Sequence, residues 1–335
     1  VTKGRLSKAA SLLGRYRREW SGDDKNMKPR IIIDCDPGHD DAIAIMMAAQ
    51  LTEVLGITTV SGNAPLDLTT DNALLLAELV DLDAEVHAGA GKPLLIAARH
   101  AEEAHGKTGL DGPTRPTISR SAASSDAVRF IIDTVRDNED VWLVPIGPLT
   151  NIALAVQQAP DIVERVAGIS IMGGSATVGN VTATAEFNVW ADPHAASIVY
   201  GAGFQSFRMA GLNLTHKFGI DEQTISELRE IDNRVALFAA DLFDFYLTSY
   251  QKRTSGQRVP LHDPCAVLAI THPELFNFQN RTVTVETEGV YTRGMTVVDE
   301  RGWGDKPLNC EVAYEIDRDK GMQIFIETIK AYTES

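Results

Sequence analysis

From Ile31 onward the chain alternates short apolar runs with stretches of helical spacing. Ile31-Ile32-Ile33 is three β-branched residues in a row and predicts a strand buried on both faces. Ala42–Ala49 then reads as a buried helix. Further strands are predicted at Leu55–Val60, Glu85–Ala88, Val141–Ile146, Ile169–Met172 and Phe207–Met209. Between them stand helices at Leu68–Leu79, Ala127–Arg136, Ile152–Gln158 and Pro193–Tyr200, the last with Asp192 as its cap. After Gly211 the balance shifts to helix, with Asp221–Glu230, Arg234–Tyr250 and Cys265–Ile270. Late strands at Val283–Glu288, Met295–Val298 and Cys310–Ile316 precede a closing helix at Asp319–Lys330. Strand followed by helix, repeated, gives an α/β fold: an open, mostly parallel sheet flanked by helices.

The pattern dissolves between Pro93 and Ser125, which holds His105-Gly106-Lys107-Thr108-Gly109-Leu110-Asp111-Gly112. A long irregular segment of this kind suits a functional lid. Residues 1–29 also break the pattern. Up to Arg30 the chain carries nine Lys/Arg and three acids. It lacks the apolar centre of a secretory signal and is expected to be a dispensable basic extension, with residues 30–335 forming a single domain. The whole chain has 335 residues, 44% of them hydrophobic, and a formal net charge of −15. That charge repels nucleic acid and anionic membrane, so neither is expected as a partner. No apolar run approaches the roughly 20 residues that span a bilayer. Three cysteines without disulfide-scaffold spacing fit a reducing compartment, here the cytoplasm.

The candidate chemistry begins where the first strand ends. Asp34, Asp36, Asp40 and Asp41 crowd into I-I-I-D-C-D-P-G-H-D-D-A, between a buried strand and a buried helix. Ligands in open parallel sheets bind at the carboxyl ends of strands. Helix capping accounts for one or two aspartates there, not four. Carboxylates at the edge of an apolar core repel one another unless a cation neutralises them, and oxygen ligands suit calcium or magnesium. Other polar clusters fall at strand ends too: Asn63, Ile146-Gly147, and Asn180, Glu186 and Asn188. His262-Asp263 opens a helix. Phe243, Tyr246 and Tyr250 share one helical face, as a core stripe or a site-facing one. There is no basic cradle for phosphate and no G-x-S-x-G elbow. Carboxylates and amides suit sugar hydroxyls, and anionic surroundings would stabilise an oxocarbenium-like transition state.

D-C-D-P-G-H-D-D closely resembles the N-terminal signature of the nucleoside hydrolases, the inosine-uridine-preferring family. V-P-I-G-P-L-T-N-I-A at 144–153, M-G-G at 172–174, G-N-V-T-A-T-A-E-F-N-V-W-A-D-P at 179–193 and H-D-P at 262–264 resemble further motifs of that family, in order. The resemblance implies a Rossmann-like nucleoside hydrolase fold with a helical lid region near the C-terminal third. It implies hydrolysis of the N-glycosidic bond of ribonucleosides by a calcium-bound water, with Asp36 as base. Asp36, Asp41, Asp263 and the main-chain carbonyl of Ile146 would bind the calcium. Family members commonly have Thr where Ile146 stands, but a carbonyl ligand does not depend on its side chain. Asp34 would act from behind, fixing the turn. Asp40, Asn63, Asn180, Glu186 and Asn188 would hold the ribose, with Met172 beneath it and Phe187 also lining the substrate site. His262 would face the base and protonate or steer it, with His105, Tyr246 and Tyr250 on the same side.

A homotetramer or homodimer is implied, as is a part in purine and pyrimidine salvage. The tyrosines and His262 point to broad inosine/uridine-type specificity, with a pyrimidine-preferring hydrolase as the alternative. A superficial resemblance of I-I-I-D-C-D to the D-x-D start of haloacid-dehalogenase-like phosphohydrolases is opposed by Pro37-Gly38-His39-Asp40-Asp41. A non-catalytic nucleoside-binding protein is opposed by the presence of every expected carboxylate.

Overall fold

The structure is a computed structural model that describes residues 28–254 and 256–333. The basic segment expected at 1–29 lies outside the described residues except for Lys28 and Pro29. The strands are β1 (Arg30–Cys35), β2 (Glu53–Thr59), β3 (Val86–Ala88), β4 (Val141–Pro145), β5 (Gly168–Met172), β6 (Phe207–Ala210), β7 (Gly219–Ile220), β8 (Val259–Pro260), β9 (Phe276–Arg281), β10 (Val283–Val285), β11 (Thr296–Val298) and β12 (Cys310–Ile316). Eight of them form one sheet in the order β3-β2-β1-β4-β5-β6-β12-β9. Neighbours in it run parallel except β9, which is antiparallel to β12. The pairs β7–β8 and β10–β11 stand apart as small antiparallel ribbons.

The chain builds from β1 through β2 to β3 on one side, then returns to add β4 on the other side of β1. This reversal opens a crevice at the carboxyl ends of β1 and β4, the place where such sheets bind ligands. β1 is buried on both faces for a simple reason. Ile31 and Ile33 pack into one apolar layer and Ile32 into the other, as the two-residue period of a strand requires. The helix after β1, His39–Leu51, is buried from His39 through Ala48 because it lies between the sheet and helices 66–79, 234–253, 264–271 and 318–330.

Several boundaries differ from the sequence expectation. The first helix begins at His39 rather than Ala42, so Asp40 and Asp41 occupy its first turn instead of the connection before it. Carboxylates are favoured at that positive end, which draws the helix start forward. The polar cluster Asn180, Glu186 and Asn188 straddles a short helix, Phe187–Ala191, which Glu186 caps by accepting from the amides of Asn188 and Val189. The strand expected to reach Glu288 stops at Val285. β9 had no sequence signal, since Phe276-Asn277-Phe278-Gln279-Asn280-Arg281 alternates half-buried and exposed positions at the sheet edge. Within 93–125, Glu102–His105 forms a single helical turn.

Ile33 is fully buried one residue before the first aspartate. Ile33→Ala is expected to cost about 2–5 kcal/mol of unfolding free energy. The same change at Val290, which is 90% exposed, is expected to cost near zero. Urea denaturation of both variants checks this.

Candidate active site

Asp36 follows β1 and is fully buried, held in a slot between two other strand ends. Its Oδ2 accepts the Asn63 amide at 2.6 Å, and among the described residues its buried Oδ1 has no hydrogen-bond partner. Gly62, after β2, and Gly147, after β4, form the walls. A Cβ on Gly62 would stand 1.9 Å from Asp36 Oδ2, and one on Gly147 2.6 Å from Oδ1. Only glycine lets the backbone approach the carboxylate this closely.

Asp41 is gripped from the turn it follows. It accepts the amides of Gly38 at 2.9 Å and Asp36 at 3.2 Å, and the Asn63 side-chain amide at 3.2 Å. Asp263 stands at the start of helix Pro264–Thr271. Asp40, Asp41 and Asp263 each offer an oxygen within 4.8 Å of the others, and all three are buried.

The electrostatics follow from this crowding. Burial first, then the neighbouring Asp41, pushes Asp40 up to about 8. Burial pushes Asp41 up to about 6, against the lowering effect of its hydrogen bonds. Burial and the other aspartates raise Asp36 and Asp263 well above the carboxylate range. Four carboxylates with no Lys or Arg among their hydrogen-bond partners in the described residues take up protons or a cation. The orphaned Oδ1 of Asp36 and the all-oxygen donor set fit a hard divalent cation. Asp34 sits behind, accepting from Thr58 Oγ1 at 2.6 Å and Asn151 Nδ2 at 2.7 Å, and burial raises it to about 7.

The other expected site residues divide into those gathered here and those further out. The Ile146 carbonyl accepts the Asn188 side-chain amide at 2.9 Å, and the same amide reaches the Met172 carbonyl at 3.1 Å. Asn188 and Met172 are buried with it. Glu186 is buried, accepts the amides of Gly174, Asn188 and Val189, and is raised by burial to about 7. Asn63 touches both Asp36 and Asp41. Asn180 is exposed, and Phe187 is half-buried with its ring 6.4 Å from Trp190. His105 is buried, its Nδ1 3.1 Å from His39 Nδ1, and both rings pack against Tyr246. Tyr250 is half-buried and packs on the core. His262 Nδ1 lies 2.7 Å from Thr215 Oγ1, and burial, then His216, pulls its imidazole down to about 3.

Sequence reasoning assigned no role to His39, Asn151 or Thr215. His39 bonds the Asp111 carbonyl through Nε2 at 2.8 Å and so pins segment 93–125 to the acidic turn. Its place inside D-P-G-H-D-D was a signal. Asn151 and Thr215 act across 117 and 47 residues of chain, which no local pattern records.

The model of the inosine-uridine preferring nucleoside hydrolase family matches residues 31–323. The chain belongs to that family. Its relatives include the pyrimidine-specific ribonucleoside hydrolases RihA of Shewanella woodyi and Salmonella typhimurium. They are 40% and 41% identical, and each alignment covers 90% of this chain and 98% of the relative. Among solved structures, the purine-preferring ribonucleoside hydrolase from Gardnerella vaginalis superposes with a TM-score of 0.85 at 31% identity, covering 90% of this chain and 98% of that one. An inosine-guanosine nucleoside hydrolase gives 0.84 at 28%, covering 91% and 99%. The expected nucleoside hydrolase fold is thus the observed one.

Gly62→Ala drives a methyl into Asp36. It is expected to cut turnover about a hundredfold or more while circular dichroism stays native. Activity within a few fold of wild type would refute the slot.

Proposed function

We propose that this nucleoside hydrolase cleaves the N-glycosidic bond of ribonucleosides, giving ribose and free base. The observation that carries the reading is the buried, unpartnered Oδ1 of Asp36 beside three further buried carboxylates, in a chain of this family. Asp36, Asp41 and Asp263, with the Ile146 carbonyl, would hold calcium, and the closeness of Asp40 to Asp41 and Asp263 brings a fourth carboxylate to the same place. Bound there, calcium supplies Lewis acidity to a water and an anchor for vicinal hydroxyls.

The protein residues do the rest. Asp36, buried with its Oδ1 unpartnered among the described residues, accepts a proton from the attacking water. The C1′–N bond breaks with its electron pair passing to the base, and a C1′–O bond forms. Asp40, Asn63, Asn180, Glu186 and Asn188 orient the ribose, and the anionic wall stabilises positive charge on the sugar ring. Met172 supports the sugar, and His262, His105, Tyr246, Tyr250 and Phe187 line the base side. Pyrimidine ribonucleosides are the favoured substrates, because the relatives that are 40% and 41% identical are named pyrimidine-specific whereas the purine-preferring structure is 31% identical. We further read residues 30–335 as one domain, working in the cytoplasm as a homodimer or homotetramer in purine and pyrimidine salvage. All three cysteines are free and buried, which supports a reducing compartment. Among the described residues no helix is long and apolar enough to cross a membrane.

A reducing-sugar assay with uridine, cytidine, inosine, adenosine and guanosine tests the reaction and ranks the bases. Asp36→Ala is expected to lower ribose release at least about a thousandfold. Absence of ribose from every nucleoside with wild-type protein would sink the reading.

The pKa shifts give a second test. Asp40 and Asp41 are raised from 3.8 to about 8 and about 6. Without a cation, their contribution to stability is full below the unfolded value and is lost as pH rises through the folded ones. A cation displaces those protons, so the rise in Tm that calcium gives should be larger at pH about 8 than at pH about 5.5. An equal rise at both would contradict it.

A further inference from the structure

Thr215 closes the short helix Leu212–Thr215 after β6 and is fully buried. Its backbone N–H bonds the Gly211 carbonyl at 3.0 Å, so the main chain is satisfied within its own turn. Among the described residues, its hydroxyl makes one hydrogen bond, to His262 Nδ1 at 2.7 Å. A hydroxyl carries one donor hydrogen, and a neutral imidazole carries one N–H. If His262 Nδ1 held the ring hydrogen and donated it to Thr215, the hydroxyl hydrogen would be left buried without an acceptor. If Thr215 donates instead, Nδ1 is the acceptor, every group in the contact is satisfied, and the ring hydrogen must sit on Nε2.

We propose that Thr215 is a positioning residue for nucleoside cleavage: its hydroxyl holds His262 in the Nε2–H tautomer, so that Nε2 can donate a hydrogen bond to the departing base. The proposal rests on the reading above that His262 faces the base. As the C1′–N bond breaks, its electron pair moves onto the base, and a hydrogen bond from Nε2–H stabilises that charge. The base then takes one proton, balanced by the one the attacking water releases. With the opposite tautomer, Nε2 would present a lone pair to a group gaining negative charge. Such placement of a ring nitrogen by the partner of the other one is a general property of histidine.

The test compares Thr215→Val, which keeps the shape and removes the hydroxyl, with Thr215→Ser, which restores it. Substrates are uridine and p-nitrophenyl β-ribofuranoside, whose phenolate leaves without help from a donor. Expected for Thr215→Val is a fall in kcat of about tenfold or more on uridine, with KM little changed. The p-nitrophenyl riboside should be hydrolysed at nearly the wild-type rate, and Thr215→Ser should recover most of the uridine rate. In ¹⁵N NMR of histidine-labelled protein, His262 should carry its hydrogen on Nε2 in wild type and lose that preference in Thr215→Val.

Equal losses on both substrates would mark a merely structural role and overturn the proposal, as would no loss on either. His262→Phe separates the premises. If it leaves uridine turnover intact while Asp36→Ala abolishes it, ribonucleoside hydrolysis stands and the Thr215–His262 proposal falls. If wild type cleaves the p-nitrophenyl riboside but no nucleoside, both fall.

Discussion

Mutual repulsion among buried carboxylates is the constraint on which the rest of this structure turns. Asp40, Asp41 and Asp263 gather where the helix after β1 meets helix Pro264–Thr271, with Asp36 bonded to Asp41 beside them, and among the described residues none has a Lys or Arg hydrogen-bond partner. A core that tolerates such a cluster is built around what neutralises it. The neighbouring features serve that end. Gly62 and Gly147 leave room for Asp36, backbone amides at Gly38, Asp36 and Asn63 stabilise negative charge, and β1 supplies rigidity through burial on both faces.

The fold explains why these groups converge. Reversal of the strand order between β1 and β4 places the ends of β1, β2 and β4 side by side, so residues near 36, 62 and 146 become neighbours. Glu186, Asn188 and Met172 join them from the end of β5 and the short helix that Glu186 caps. Each contribution is local, and the sheet assembles them. Short loops on a rigid scaffold thus meet at one end of the sheet.

Much of this was legible in the sequence because it violates an ordinary rule. Acids directly after Ile31-Ile32-Ile33 are out of place in a core, and that misfit marks the buried acidic cluster in the sequence. Strands buried on both faces were legible for the same reason, as continuous apolar runs. What stayed hidden was long-range or polar. β9 alternates like any exposed segment, the helix Phe187–Ala191 depends on one cap, and Asn151 and Thr215 matter only through partners far away in the chain. The first helix starts at His39, three residues before the apolar run at Ala42 that marks it in the sequence, because acids that read as loop are favoured at a helix N-terminus.

The cluster is expected to exchange protons for a cation. Calorimetric titration of calcium into chelator-treated protein at neutral pH, repeated in buffers of differing ionisation enthalpy, counts the protons released. Binding that releases one or more protons per calcium is the result this account predicts, and its loss in Asp41→Asn would place those protons in the cluster. Saturable binding with no proton release, or no binding at all by a folded and active protein, would contradict it.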